Sequence, residues 1–184
     1  MHDSDNRYGD WMLTWTGKKF YPLDPDIESI DIRDIAHSLS LQCRYSGHCN
    51  DFYSVAQHSV LVSNYLPDEY KLWGLLHDAP EAYLSDVIRP LKPFLRGYSA
   101  FEQRVMSTIA ERYGLNYIHG SGDIPSIVKE VDNKILRDEF DQLMNNMYNY
   151  EMNIPDVGLG IKIEPMSPKE AKIYFLTTFN ELIQ

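Results

Sequence analysis

The chain has 184 residues, a net charge of −10 and a pI near 4.9, and it lacks the basic stripe that a nucleic-acid polymer demands. A composition of 43% hydrophobic and 24% charged residues is that of a globular domain with enough chain for one sizeable core. No run approaches the roughly 18 apolar residues of a spanning helix, which argues against a membrane segment.

The first residues, "MHDSDNRYGDW", are polar and acidic, unlike a signal peptide. The chain has two cysteines, Cys43 and Cys49, too few for a disulfide framework, and reduced thiols in a cytoplasmic protein are expected. A small anionic ligand stays compatible with the acidic balance, because a metal and a few local cations override the global field.

In chain order, "MLTWTGKKFY" (12–21) holds two short β-prone runs around Gly17 and predicts a small hairpin. Asp31 suits the N-cap of a helix whose apolar positions are Ile32, Ile35, Ala36, Leu39 and Cys43. Residues 44–53 read as a loop. Ser54 and Gln57 form a capping-box pattern opening a helix over 55–66. Pro67 opens the next helix, expected over 68–83 with Pro80 as a site for a kink. Pro90, Pro93 and Gly97 make 85–98 a connector. Ser99 with Glu102 predicts the start of a helix that Gly114 closes. A loop over 116–125 precedes a long helix over about 125–147, and residues 149–165 read as irregular. Ser167, Pro168 and Glu170 give cap, first-turn proline and capping-box partner for a final helix. The expectation is one all-α domain over 1–184, a bundle of about six helices with a small N-terminal β-hairpin. Residues 1–30 form the arm, 31–150 the core and 151–184 the C-terminal extension.

Strong metal ligands on the predicted helices are His37, His58, His77, Asp78, Glu81 and Asp132. Histidine nitrogens with carboxylate oxygens suit zinc, manganese, iron, cobalt or nickel. Adjacent helical residues point about 100° apart, so a His–Asp pair is not a local chelating motif. Spacing alone therefore leaves two readings open, a metal site and a set of satisfied polar or capping residues.

The order His58, His77–Asp78, Asp132 resembles that of the HD superfamily of metal-dependent phosphohydrolases. "CRYSGHCNDFYSVAQHSVLVS" followed by "WGLLHDAPEAYLSDVIRPLKPFL" is similar to the short phage- and prophage-type members, which are akin to bacterial 5′-deoxynucleotidases and viral dATP triphosphohydrolases. The likeness covers nearly the whole chain and is most specific over residues 31–95. It implies an HD fold and one divalent transition metal held by His58, His77, Asp78 and Asp132. Glu81 and Asp86 match the acid–base carboxylates of the pattern His-Asp-x-x-Glu-x-x-x-x-Asp. Arg44 matches an arginine ahead of the first histidine helix, and Lys92 the lysine of a Pro-x-Lys connector; both are implied substrate-binding cations. Pro80 departs from the pattern, since a proline removes a helix hydrogen bond beside the site.

The residue chemistry fits these roles. Glu81 shares a helix face with His77 and Asp78, Arg44 can grip a phosphate in bidentate fashion, and Arg89 is a further cation of the connector. His48 is a candidate for lining a nucleoside pocket, with an ordinary loop histidine as the alternative. Tyr45 and Trp73 could stack a base, though core packing is the commoner use. His37 and His119 read as structural or solvated. His119 is the only histidine between Asp78 and Asp132, and a two-metal site needs more, so one ion is expected.

The reading is metal-dependent hydrolysis of phosphate from a small nucleotide, foremost a 5′-deoxynucleoside monophosphate. Release of triphosphate from a dNTP such as dATP is the rival, (p)ppGpp hydrolysis a weaker one, and a non-catalytic nucleotide-binding phage factor the alternative of another class. No polymeric nucleic acid or membrane partner is expected, and homo-oligomerisation is left open.

Overall fold

The computed structural model describes residues 6–115, 124–145 and 153–184. It is mostly helical with one small sheet. Strands β1 (Met12–Leu13) and β2 (Lys19–Phe20) pair antiparallel with Met12 opposite Phe20. Gly17, at φ 85°, turns the chain between them. The hairpin is tied to the first helix by Asp34, whose carboxylate accepts from Thr16 N and Thr16 Oγ1, both at 2.7 Å.

Helix α1 (Ile32–Leu41) starts where expected, with Asp31 accepting from Arg33 N. Helix α2 (Val55–Asn64) is the centre of the molecule, for only Leu61 and Asn64 escape full burial. It packs against α1, α3 (Asp68–Leu76), α6 (Ser126–Leu143) and α7 (Pro168–Leu182). A helix buried on all sides must pair its own polar groups. Ser59 Oγ donates to Val55 O at 3.0 Å and Ser63 Oγ to Lys71 O at 2.8 Å. One apolar cluster runs from Phe20 through Leu39, Tyr53, Val60, Leu75, Ile109 and Ile135 to Phe179.

Four local expectations are corrected. The helix expected over 68–83 is two helices, α3 and α4 (Glu81–Leu84). Between them the hydrogen bonds tighten to the i→i+3 pattern, from Ala79 N to Leu76 O and from Glu81 N to Asp78 O, both at 3.0 Å. Pro80, which has no N–H to give, is the cause. Ser54 caps α2 by accepting from Gln57 N, but the Gln57 side chain does not close the box. Its amide instead donates to Glu164 O at 2.7 Å and accepts from Met166 N at 2.9 Å. Helix α5 (Tyr98–Tyr113) begins at Gly97, with φ 80°, and not at Ser99, because Glu102 is drawn to Lys92, at 2.9 Å. Gly114 closes α5 as expected, with φ 63°. Helix α1 stops at Leu41, two residues short of the expected Cys43.

The capping box of Ser167 and Glu170 forms in full at α7. The segment ahead of it is extended and is held by side chains rather than by a sheet. Gln142 donates to Ile161 O at 2.6 Å and accepts from Ile163 N at 2.9 Å, while Asp138 accepts from Leu159 N at 2.7 Å and Gly160 N at 3.0 Å. Cys43 and Cys49 are free thiols with their sulfurs 3.5 Å apart. Among the described residues no helix is long and apolar enough to cross a membrane.

The contact between α2 and α3 depends on Gly74. A Cβ there would lie 2.4 Å from Leu66 Cδ1 and 3.0 Å from Ser63 Cα. The leucine tip can swing away, but the α2 backbone cannot. Gly74→Ala gains about 1 kcal/mol of helix propensity and loses about 1–3 kcal/mol to overpacking. A net loss of about 1 kcal/mol is expected in urea unfolding, and a raised midpoint would contradict the close approach.

Candidate metal centre

Two helices and one tightened turn bring the predicted ligands together. His58 lies at the middle of α2 and is fully buried. His77 and Asp78 sit on the turn between α3 and α4, and Asp132 lies on α6. His58 Nε2 is 3.1 Å from Asp132 Oδ1 and 3.7 Å from Asp78 Oδ2. His77 Nε2 is 3.3 Å from Asp78 Oδ2 and 4.0 Å from Asp132 Oδ1. His58, His77 and Asp132 each offer a ligand atom, all within 4.8 Å of one another, and this group could hold a metal ion.

The decisive detail is what each imidazole does with its other nitrogen. His58 Nδ1 faces Glu139 Oε1 at 2.6 Å and His77 Nδ1 faces Gly74 O at 2.7 Å. A backbone carbonyl and a carboxylate only accept, so Nδ1 carries a proton in both rings, and Nε2 is the atom left for a second proton or a cation. Both Nε2 atoms are buried and have no hydrogen-bond partner. Buried polar atoms left unpaired cost about 1–3 kcal/mol each, and two of them converging on two carboxylates fit a cation.

The electrostatics agree. Burial opposes charge on His77, but Asp78 and Asp132 outweigh it and raise its pKa to about 9. His58 is also shifted upward; burial and Arg44 oppose this, and Glu139 and Asp132 prevail. Asp78 is held far below the ordinary carboxylate range against its burial, by His77, His58 and Arg44. Asp132 is lowered in the same way by the two histidines. A proton and a cation compete for this point.

Around it stand the other predicted residues. Arg44 is almost buried, with Nη1 3.6 Å from Asp78 Oδ2, Nη2 3.2 Å from Glu139 Oε2, and a buried Nε that has no partner. Glu81 is 5% exposed, and its Oε2 is another buried atom without a partner. Burial, with the charges of Asp78 and Asp86 close by, pushes the Glu81 pKa up to about 9. Asp86 is raised by burial and by Asp78. Ser85, immediately before Asp86, has φ 68° and ψ 152°, a region glycine normally occupies. It is held there by Tyr98 Oη donating to Ser85 O at 3.0 Å. Gln42 adds a brace, donating to Glu81 O at 3.0 Å and accepting from Asp86 N at 2.9 Å.

Some expected residues are placed otherwise. Lys92 lines the wall but is spent on carboxylates, 2.9 Å from Glu102 and 3.5 Å from Glu81. His48 is exposed, and its ring makes no hydrogen bond among the described residues. Trp73 is 3% exposed and belongs to the core. Tyr45 donates its hydroxyl to Glu139 instead of presenting a free ring. Arg89 stands at the rim, 3.6 Å from Asp132 Oδ2. His37 stacks on Trp15, ring centroids 4.7 Å apart, with its Nδ1 3.3 Å from Lys172 Nζ, and is not part of the cluster. His119 lies outside the described residues. Glu139 was not singled out in the sequence, although it follows Asp132 by two helical turns and so shares its face.

No family model matches the chain. It is 37% identical over 175 residues to the uncharacterized protein YfdR of Escherichia coli K12, with 94% of this chain and 95% of that protein covered. It is 29% identical to an uncharacterized protein of Rhodobacter capsulatus, with 95% of this chain and 96% of the other covered.

The purified protein should carry about one divalent transition ion per chain by elemental analysis, and EDTA should lower its melting temperature, since the ion ties three elements together. An ion held by the imidazoles would have to displace their protons, so cobalt affinity should rise with pH up to about 9, the pKa of His77. Full metal content in His77→Ala would contradict this ligand set.

Proposed function

We propose that this chain, which belongs to the family of the Escherichia coli protein YfdR, is an HD-type metal-dependent phosphohydrolase acting on 5′-deoxynucleoside monophosphates. The observation that carries the reading is the pair of buried, partnerless Nε2 atoms of His58 and His77 facing Asp78 and Asp132. The four residues would hold one divalent ion, drawn from cobalt, manganese, zinc, iron and nickel. When bound, such an ion supplies Lewis acidity toward a phosphate ester and makes a water more acidic.

The chain's own residues do the rest. Arg44 offers guanidinium donors, including the unpaired Nε, to phosphate oxygens. Glu81, with its pKa near 9, carries a proton at neutral pH and can give it to the departing 5′ oxygen. With the charge of Asp78 neutralised, Glu81 loses one of the causes of its shift and comes closer to neutrality, where an acid–base group works best. Asp86 is the second carboxylate, in a more open setting that suits a water or a sugar hydroxyl.

The cation count favours one phosphoryl group. Arg44 is the deep cation, Lys92 is engaged by Glu81 and Glu102, and Arg89 stands at the rim with its side chain 61% exposed. A triphosphate would need more free positive charge inside.

Phosphate release should be compared on dAMP, AMP, dATP and ATP with cobalt or manganese supplied. The expected result is release from dAMP, with a preference of about 5- to 150-fold over AMP if the ribose hydroxyl is left unpaired. Tripolyphosphate from dATP would move the assignment to a dNTP triphosphohydrolase. No turnover of any nucleotide by metal-loaded protein would leave a nucleotide-binding role.

Glu81→Gln should keep both fold and metal and lose about 10²-fold in kcat. In the metal-free protein it should also flatten the pH dependence of stability. The raised carboxyl takes up a proton on folding, so its contribution is complete below the unfolded pKa of about 4.5 and is lost as pH rises toward 9. Loss of metal from Glu81→Gln would make Glu81 a ligand and overturn its role as acid.

A further inference from the structure

Residues 44–47 form a tight turn in which two successive residues other than glycine, Tyr45 at φ 56° and Ser46 at φ 52°, are left-handed. The turn's backbone bonds are few. Arg44 N donates to Tyr53 O at 2.9 Å and His48 N to Tyr45 O at 3.0 Å. A conformation that L-residues avoid must be imposed from outside. Side chains reach into this turn from two distant places: Asp78 lies 3.6 Å from Arg44 Nη1, and Glu139, some 95 residues later, hydrogen-bonds both Arg44 and Tyr45. Its Oε2 accepts from Arg44 Nη2 and from the Tyr45 hydroxyl, while its Oε1 accepts from His58 Nδ1. The Glu139 carboxylate is fully buried and therefore lacks water as a substitute partner.

We infer that Glu139 is a positioning residue that couples the metal-holding imidazole of His58 to the anion-holding turn of Arg44 and Tyr45. This rests on the phosphohydrolase reading for what the two arms do. One oxygen fixes the proton of His58 on Nδ1 and turns Nε2 toward Asp78 and Asp132. The other pulls the turn inward, so that Arg44 reaches Asp78 with Nη1 and leaves Nε unengaged. Helix α6 thus serves the site twice from one face, with Asp132 at the ion and Glu139 behind it. The carboxylate is shared, so weakening it weakens cation and phosphate binding together, whereas cutting only the tyrosine bond weakens phosphate alone.

The test separates the two arms on the intact chain. Cobalt affinity is measured by chelator competition, and inorganic phosphate affinity by calorimetry on cobalt-loaded protein. Glu139→Gln should weaken cobalt about 10- to 100-fold, as loss of a carboxylate behind a ligating histidine does, and weaken phosphate as well. Tyr45→Phe should leave cobalt affinity within about 3-fold and weaken phosphate about 10-fold, the effect of losing one hydrogen bond to a charged group. Glu139→Gln that melts lower yet binds cobalt and phosphate as the parent does would overturn the inference, because that is a merely structural residue. If Glu139→Gln does not fold, Tyr45→Phe decides alone, and unchanged phosphate affinity would overturn the coupling. These affinities are read without turnover, so a parent that binds cobalt and phosphate but hydrolyses no nucleotide defeats the proposed reaction and not the coupling.

Discussion

The tethering of two imidazoles through Nδ1 is the constraint on which the rest of the site depends. Glu139 takes one proton and the carbonyl of Gly74 the other, and the free nitrogens then face the same point as two aspartates. Such a gathering of charge away from water is unfavourable unless it is paired. The fold provides half of the answer in Arg44, and the geometry leaves room for a cation to provide the other half. The central helix explains why the cluster can be held in place. Because α2 is buried on nearly every side, His58 has no freedom to drift.

Much of this was legible in the sequence, for local reasons. Helix starts at Asp31, Ser54 and Ser167 follow from side chains that satisfy the first free N–H groups, and these chemistries act over three residues. That His58, His77, Asp78 and Asp132 lie together was legible through a resemblance to a known pattern and not through spacing, since they lie on separate elements. What stayed hidden is long-range. Nothing near Glu102 says that it meets Lys92 instead of capping α5, and nothing near Gln57 says that residues 164–166 will claim its amide. Glu139 carries a helical-spacing signal relative to Asp132, but its partners are 81, 94 and 95 residues away. Pro80 was readable as a disturbance; that it converts the ligand-bearing turn to i→i+3 bonding requires the tertiary frame.

The extended stretch before α7 shows a second economy of side chains. Gln57 and Gln142 each give and accept one bond with its backbone, doing what a neighbouring strand would do. Gln42 does the same for the junction between Glu81 and Asp86. Three glutamines thereby stand in for sheet in a fold that has almost none. One of the three sets the spacing of the two candidate acid–base carboxylates.

The left-handed pair at Tyr45 and Ser46 has a consequence for how this protein can vary. Each such residue other than glycine carries a strain of about 1–2 kcal/mol. The Ser46 side chain is exposed, and no hydrogen bond among the described residues compensates it, so glycine at 46 relaxes the turn at no evident chemical loss. Glycine at 45 relaxes it equally but deletes the hydroxyl that Glu139 receives. Losing a donor to that buried carboxylate costs about 1.5–3 kcal/mol, at least the strain relieved, so selection for heat resistance would admit glycine at 46 and refuse it at 45, as would selection for a working turn. The two neighbours, alike in backbone, are separated by what they are kept for.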